Sequence, residues 1–326
     1  MVVPEVLSFF CFLYLLRESV IWYCVDGVAI GSRYELNPTA IKIKPVFGLQ
    51  SVQEHGSSLF TRKVVPKMDA NNSSGSPRPG LPDPASVVFT ETLPSPQPLT
   101  RAAAATGLNN YRVLRTTQID EYDHPVTTAE VAPFSLAPTG GDTFQGSSRK
   151  AAKLSLSDAK MESFKDVAAL LKTLPSVATM AKLFPPGSDG PTSQRVSQEK
   201  RNVHLKAFLY AASRESDNDF HLIIGGSPSV SPAVYMTIEV SGLPPQNSSA
   251  FSSLNGVRDA FKHFFGTRLP AATYDFYDPP IPIEVQGSLF FDAKHAQGSR
   301  PGPATLRPHM PTIWEIHPLS KLVLEP

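Results

Sequence analysis

The sequence predicts a mainly β (α+β) domain over residues 200–326, preceded by a short helical segment and a long disordered N-terminal region. Apolar and alternating runs bounded by turn residues mark five strands in this domain. One stretch of helical periodicity separates the third strand from the fourth. This is the element order of an OB-fold, so the domain is expected to be an OB-fold-like five-stranded barrel with one helix between strands 3 and 4.

Each element has its own local signal in the sequence. In Val234–Val240, alternation places Tyr235, Thr237 and Glu239 on one face of a strand. The helix carries an apolar stripe and ends at Gly266, and Gly287 predicts a bulge or sharp bend in the fourth strand. The predicted strands are 203–213, 220–224, 234–240, 281–292 and a fifth in two pieces, 312–317 and 321–324; the predicted helix is 251–265.

Residues 1–67 form a possible misannotated extension or an atypical signal or membrane segment. The apolar run at 6–16 is too short to span a bilayer, so no transmembrane span is expected. From Met68 the composition changes to that of a typical polar start. The protein is expected to be cytoplasmic if Met68 is the true start, and exported if residues 6–16 are a signal core.

Residues 68–150 are rich in Pro, Ser and Thr, and predict a disordered linker. Within this linker, 111–122 is a candidate strand or partner-binding segment, and the linker interpretation is favoured. Residues 151–186 predict a short helical segment, with a helix that begins at Ser157 and ends before Pro175.

Composition and motifs exclude several classes of protein. The 30 Lys and Arg against 29 Asp and Glu give a net charge of +1, which argues against a globally basic nucleic-acid binder. With 2 cysteines there is no disulfide framework and no cysteine-rich zinc site. The sequence contains no GxSxG, P-loop, GxGxxG, CxxC or HExxH motif.

Two acidic-x-His pairs are the first candidate site. Residues two apart in a strand share a face, so Asp219 with His221, and Glu315 with His317, each project a carboxylate and an imidazole together. Asp292 and His295 are candidates to join them. Such groups suit a divalent metal, with His221, His295, His317 and Asp292 as candidate ligands, or acid–base catalysis. The favoured alternative is that the same carboxylates and imidazoles only hydrogen-bond to one another and stabilise the fold.

The loop 293–311 is the second candidate site. Lys294, His295, Arg300 and Arg307 are candidate ligand-binding residues, beside Tyr235 and Phe290, whose rings are expected to be exposed. Cations and aromatic rings together suit single-stranded nucleic acid. The acidic turn 214–219 opposes this interpretation, and a solvated loop is favoured.

The same domain resembles an uncharacterised protein family. The resemblance rests on SRESDNDFHLII, on GSLFFDAKHAQ from Gly287, and on Glu315-Ile-His317-Pro318. Its members have a C-terminal OB-like β domain that ends in a Glu-x-His-Pro strand, with no known activity. The resemblance therefore implies the domain and its candidate positions, and it implies no reaction.

Two functions follow from the sequence. The first is a non-catalytic binding module that acts through the barrel, with single-stranded nucleic acid, protein or glycan as the ligand. The alternative is a metal-dependent, nuclease-like hydrolase that uses the acidic-x-His pairs. A divalent metal is the one cofactor that these residues suggest, and the partner classes are nucleic acid or another protein.

Overall fold

The computed structural model describes residues 19–25, 28–34, 80–94, 110–120, 141–185, 187–231, 233–297 and 300–325. The chain divides into two compact units, Met1–Ser73 and Ser74–Pro326. In the first unit, β1 (Ser19–Val25) and β2 (Val28–Tyr34) pair as an antiparallel hairpin. The apolar run at 6–16 and Met68 lie outside the described residues.

Within its described residues the second unit is mostly β, with a single mixed sheet of eight strands in the order β3-β4-β9-β10-β8-β7-β6-β5. The strands are β3 Val87–Pro94, β4 Asn110–Thr116, β5 Met161–Phe164, β6 Asn202–Arg214, β7 Phe220–Gly225, β8 Tyr235–Val240, β9 Asp275–Phe291 and β10 Trp314–Leu324. The described α-helices are α1 Lys150–Lys153, α2 Val167–Leu171, α3 Val177–Ala181 and α4 Phe251–Phe265. None of the helices in the described residues is long and apolar enough to cross a membrane.

Strand β9 holds this sheet together. It pairs antiparallel with β4 near its start, with β6 along most of its length and with β10 over its second half. Strand β6 also pairs with β7, β7 with β8, and β8 with β10 in parallel. The five pairings β6–β7, β7–β8, β8–β10, β10–β9 and β9–β6 therefore form a closed ring.

The main core lies on one face of these strands, against α4. Leu222, Ile238 and Ile316 point into it from β7, β8 and β10. Helix α4 contributes Phe261, whose ring centroid lies 4.7 Å from that of Phe220 on β7. Because α4 and the sheet bury this face, polar residues at the alternate strand positions lie on the opposite face.

Over 200–326 the predicted elements closely match the observed ones. Helix α4 spans the predicted 251–265. Strand β9 begins at Asp275 rather than at 281, because its first residues pair with β4 and β6. The sheet has eight strands where five were expected.

Two of the additional strands come from the predicted linker 68–150. Strands β3 and β4 pair with each other, and β4 pairs with β9. Tyr111, Val113 and Leu114 of β4 are buried, so these few apolar residues dock on an existing sheet edge. The prediction of an unstructured linker is wrong for β3 and β4.

The prediction of a helix that begins at Ser157 is wrong for the first half of that helix. Residues Met161–Phe164 form β5, which pairs in parallel with β6, and Arg201 binds Glu162 through two hydrogen bonds of 2.8 and 2.6 Å. Helix α2 begins later, where the Asp166 carboxylate accepts the N–H of Ala169 at 2.7 Å. Pairing with β6 thus overrides the helical pattern of the sequence.

Gly287 is a point of close approach between β9 and β10. Pairing of these strands shifts register between Ile316 and Leu319, so the irregularity lies on β10 opposite Gly287 rather than on β9 as predicted. A Cβ atom at Gly287 would lie 2.6 Å from Ile316 Cγ2 and 2.6 Å from the carbonyl oxygen of Pro318. Only glycine leaves room for this contact.

We expect Gly287→Ala to lower the free energy of unfolding by about 1–3 kcal/mol, because the backbone of β10 must move away. Urea denaturation measures this loss. Gly256→Ala is the matched control: no atom lies within 4 Å of its added Cβ, and it should stabilise α4 by about 0.5–1 kcal/mol. Equal effects of the two substitutions would contradict the close approach.

Asp275 at the start of β9 is a buried carboxylate with an incomplete set of partners. Arg115 Nη1 lies 3.1 Å from its Oδ2, and neither carboxylate oxygen makes a hydrogen bond. Burial raises the pKa of Asp275 from 3.8 to about 8, against the opposing charge of Arg115 and with a further rise from Glu91. The folded protein therefore retains a proton that the unfolded chain loses near pH 4.

Because the folded state keeps this proton and the unfolded state loses it, the free energy of unfolding falls as the pH rises from about 4 to about 8. The expected slope from Asp275 is at most about 1.4 kcal/mol per pH unit. Asp275→Asn should remove that slope, as measured by urea denaturation at pH 5, 6 and 7. The exposed Asp259→Asn variant should keep the wild-type slope, and a wild-type slope in Asp275→Asn would refute the assignment.

Candidate functional site

A polar cluster lies on the face of β7, β8 and β10 opposite the main core. Pairing places His221 opposite Glu239, and Glu315 beside Thr237. Alternation along β10 then brings His317 to the same face as Glu315. The sheet thus brings both acidic-x-His pairs together, although nearly a hundred residues separate them in the chain.

Three further segments close over this face. The turn between β6 and β7 supplies Glu215 and Asp217, and the residues after β9 supply Asp292 and His295. The third segment, 141–156, carries Lys153, and the N–H of Gln145 donates to the carbonyl oxygen of Asp217 at 2.8 Å. Together with the strands they enclose a polar cavity of about 250 Å³.

The deepest part of the cluster is the inner triad, which we define as Asp219, Glu239 and His317. His317 Nε2 lies 3.5 Å from Asp219 Oδ2, and His317 Nδ1 lies 2.6 Å from Glu239 Oε2. Each side chain is at most 3% exposed, and none of these four atoms makes a hydrogen bond of acceptable geometry. One ligand atom from each residue can be chosen so that all three lie within 4.8 Å of one another.

Glu315 extends the inner triad toward the cavity. Its Oε2 lies 3.7 Å from His317 Nδ1, is buried and makes no hydrogen bond. Glu315 and Glu239 also line the cavity. Glu239 and Glu315 therefore connect the inner triad to the cavity, and each has a buried Oε2 atom that makes no hydrogen bond.

His221 has a different environment from His317. Its Nδ1 forms a short hydrogen bond with Glu215, and its Nε2 is 3.0 Å from the Thr237 hydroxyl. Glu215, His221 and Glu239 form a second group whose ligand atoms lie within 4.8 Å of one another. Because both ring nitrogens of His221 have partners, its position is fixed by the protein alone.

Lys153 brings a positive charge to the same carboxylates. Its Nζ lies 3.4 Å from Asp217 Oδ2, 3.7 Å from Asp219 Oδ2 and 3.9 Å from Glu239 Oε2. Although burial acts to lower the pKa of Lys153, the charges of Glu239, Asp217 and Asp219 raise it well above the usual value. The lysine is therefore held as an ammonium ion.

The buried carboxylates exceed the cations that face them. Burial raises the pKa values of Asp219, Glu239 and Glu315, and repulsion between neighbouring carboxylates raises them further. Burial lowers the pKa of His317 to about 3, so its imidazole is neutral and able to bind a metal. An excess of buried negative charge is costly unless another cation offsets it.

Outer contacts hold the inner triad in place. Asp219 Oδ1 accepts the N–H of Gly242 at 2.6 Å, which leaves Oδ2 directed at the triad. The guanidinium of Arg195 donates to the carbonyl oxygens of His317, Leu289 and Ala152 at 2.7, 2.5 and 2.7 Å. Arg195 thereby ties β10, β9 and the end of α1 together beside the site.

The described residues of the loop 293–311 contact one another and also the rest of the domain, where the N–H of Gly302 donates to Asp120 Oδ2 at 2.7 Å. Arg300 donates to the carbonyl oxygen of Met310 at 2.9 Å, and Arg307 donates to that of Gly302 at 2.9 and 3.1 Å. His295 Nε2 lies 3.3 Å from Asp292 Oδ2. Lys294 is exposed at the edge of the cavity.

The expectation of exposed rings beside this loop is wrong. Tyr235 is 1% exposed and packs edge-on against Tyr210, with ring centroids 4.9 Å apart. Phe290 is 2% exposed and lies between the guanidinium of Arg149, at 4.6 Å, and the ring of His317, at 5.4 Å. Neither ring offers a face on which a base can stack.

Sequence reasoning did not assign Glu239 and Lys153 to the site. Glu239 was placed on the polar face of its strand, and a carboxylate within an otherwise mostly apolar strand was the available signal. Lys153 had no such signal, because it lies in a segment predicted to be helical and separate from the β domain.

Comparisons of the chain with protein-family models, with curated proteins and with solved structures give no match. The chemistry of the site therefore rests on the described side chains.

Glu315→Gln should raise the free energy of unfolding of the metal-free protein by about 1–2 kcal/mol, because burial and the nearby Glu239 raise the pKa of Glu315 and make this buried carboxyl group costly at pH 7. Urea denaturation in EDTA at pH 7 measures the gain. Glu284→Gln on β9, where Glu284 faces Lys321 and His204, is the control and should give no gain. If Glu315→Gln instead lowered the free energy of unfolding, groups of the protein itself would stabilise the carboxylate, and the prediction would be wrong.

Proposed function

We propose that this protein is a divalent-metal-dependent hydrolase whose metal is held by the inner triad. The observation that carries the proposal is the convergence of Asp219, Glu239 and His317, whose buried ligand atoms make no hydrogen bond of acceptable geometry, beside a polar cavity. One imidazole and two carboxylates form a donor set that suits zinc, manganese or iron(II). Their geometry is fixed by three adjacent strands and by the Gly242 and Arg195 contacts.

Glu315 is the proposed general base. Its Oε2 makes no hydrogen bond and lies 3.7 Å from His317 Nδ1, and Glu315 lines the cavity, where its carboxylate would take a proton from a water molecule. A divalent ion held by the inner triad would supply Lewis-acid activation of that water. The water oxygen forms a bond to the electrophilic carbon of the substrate while Glu315 takes its proton. The bond to the leaving group then breaks, and Glu315 returns the proton to that group.

The charge of the cavity indicates the substrate class. Glu215, Asp217, Asp292 and Glu315 line it, against Lys153 and Lys294. Such a lining disfavours a nucleic-acid phosphate and favours a neutral ester or amide. The nuclease-like form of the hydrolase is thus the less favoured one.

We further propose that β6 to β10 form an OB-like barrel. Support comes from the ring of pairings among these strands, with the parallel β8–β10 pair and α4 between β8 and β9. In OB-folds the ligand face lies between the loop after the first strand and the loop before the fifth. The cavity is bordered by residues of the two corresponding loops here: Glu215, Ser216 and Asp217 in the first, and Asp292, Lys294 and His295 in the second.

Non-catalytic binding at the same cavity is the second candidate function. The location of the cavity between these two loops favours it. Carboxylates and imidazoles around a small polar space suit the hydroxyl groups of a glycan better than a nucleic acid, because the aromatic rings are buried. A glycan that binds without being cleaved, with or without metal, would support this function.

Metal binding by the full chain tests the hydrolase. After EDTA treatment and dialysis, titration with Mn²⁺ or Zn²⁺ should give one bound equivalent in the wild type. Asp219→Asn and His317→Ala should each weaken binding by about tenfold or more, because each removes a ligand. His204→Ala is the matched control, since His204 lies on β6 beside Glu284, away from the cluster.

Hydrolysis is then measured on nitrophenyl esters, nitroanilides and a nitrophenyl phosphodiester in the loaded wild type. Glu315→Gln should lower the turnover rate by about a hundredfold or more and leave the fold intact. Absence of bound metal in the wild type would overturn the proposal. If only the phosphodiester is cleaved, the proposed metal site stands, but the substrate class is nucleic acid rather than a neutral ester or amide.

A further inference from the structure

Lys153 lies where a second cation would lie in this cluster. Its ammonium group is within 3.4–3.9 Å of carboxylate oxygens from Asp217, Asp219 and Glu239, and its side chain is 11% exposed. Asp219 and Glu239 belong to the inner triad, while Asp217 and Glu239 line the cavity. The lysine therefore shares two carboxylates with the proposed metal site and faces the cavity side of it.

A second group of side chains near Lys153 could hold a metal ion of its own. Glu215, His221 and Glu239 bring ligand atoms within 4.8 Å of one another, and Lys153 Nζ lies 3.9 Å from Glu239 Oε2 and 3.4 Å from Asp217 Oδ2. Glu239 is common to this group and to the inner triad. A carboxylate shared in this way is the usual bridge of sites that hold two metal ions about 3.5–4 Å apart.

We propose that Lys153 replaces the second metal ion of a two-cation centre and so fixes the metal stoichiometry of the protein at one. The proposal rests on the proposed function, since it takes the inner triad as the occupied site. The ammonium group offsets the charge of Asp217 and Glu239 without a coordination sphere, and its positive charge repels a second divalent ion. Lys153 is a positioning residue, and it also sets which cations the cavity admits.

The position of Lys153 is built into the fold. It ends α1, and Arg195 donates to the carbonyl oxygens of Ala152 and Ser155, on either side of this helix end, while also donating to that of His317. The N–H of Arg149 and the N–H of Ala151 bond to the carbonyl oxygens of Asp189 and Pro191. Because one guanidinium contacts both α1 and β10, the lysine and the inner triad keep a fixed separation.

Lys153→Met and Lys153→Arg in the full chain test the proposal. Methionine keeps the length of the side chain and removes its charge, and the rings of Phe144 and Phe290, each 6.0 Å from Nζ, accept a thioether. Arginine keeps the charge. The probe is Mn²⁺ alone, measured by calorimetric titration and by electron paramagnetic resonance, with circular dichroism to confirm that each variant is folded.

The expected result is one Mn²⁺ in the wild type and in Lys153→Arg, and two Mn²⁺ in Lys153→Met, with a spin-coupled signal from the pair. The first ion should also bind Lys153→Met at least about tenfold more tightly, because the repelling charge is gone. Equal stoichiometry in all three proteins, or two ions in the wild type, would overturn the proposal. A wild type without metal beside a Lys153→Met variant that binds one ion would overturn both the hydrolase and the stoichiometry of one, because Lys153 would then exclude the first ion as well.

Discussion

The antiparallel ladders of β9 are the interaction on which the structure depends. This 17-residue strand bonds to β4, β6 and β10, so the edge segment from the proline-rich region and the C-terminal strand are joined through one element. Gly287 lets β10 approach closely at the register shift after Ile316. That shift lies at His317, and the site thus depends on how tightly two strands pack.

Desolvation explains why the polar face is organised as it is. Carboxylates on β8, on β10 and in the turn before β7 would be solvated on an open sheet, but segments 141–156 and 292–295 cover them. Once covered, each negative charge needs a hydrogen-bond donor or a cation. Asp219 obtains a donor from Gly242 for one oxygen only, and Lys153 is shared among three carboxylates. The atoms left without a hydrogen bond, among them Glu239 Oε2 and Glu315 Oε2, are the ones that indicate a cation site.

Periodicity in the sequence was enough to predict the elements of 200–326 and to place Glu315 and His317 on one face of β10, whereas His221 pairs with Glu215 rather than with Asp219. Helix α4 and the common face of Glu315 and His317 are set by local spacing, which a single sequence records. The role of Lys153, the strand β5 and the burial of Phe290 are not local. Each depends on a partner far along the chain, such as Arg201 for β5 and Arg149 for Phe290. Tertiary contacts of this kind leave no periodic trace, which is why a helix was expected where β5 forms.

Strand β10 also carries one of the chain's 2 tryptophans. Trp314 is fully buried, directly precedes Glu315, and its indole N–H donates to the carbonyl oxygen of Pro175 at 2.9 Å. Its ring centroid lies 5.4 Å from that of Phe291 on β9. Once Trp22 is replaced by Phe, the indole is therefore an optical probe of the strand that bears the site: a change in the wavelength or intensity of its fluorescence reports movement of β10 without any added label.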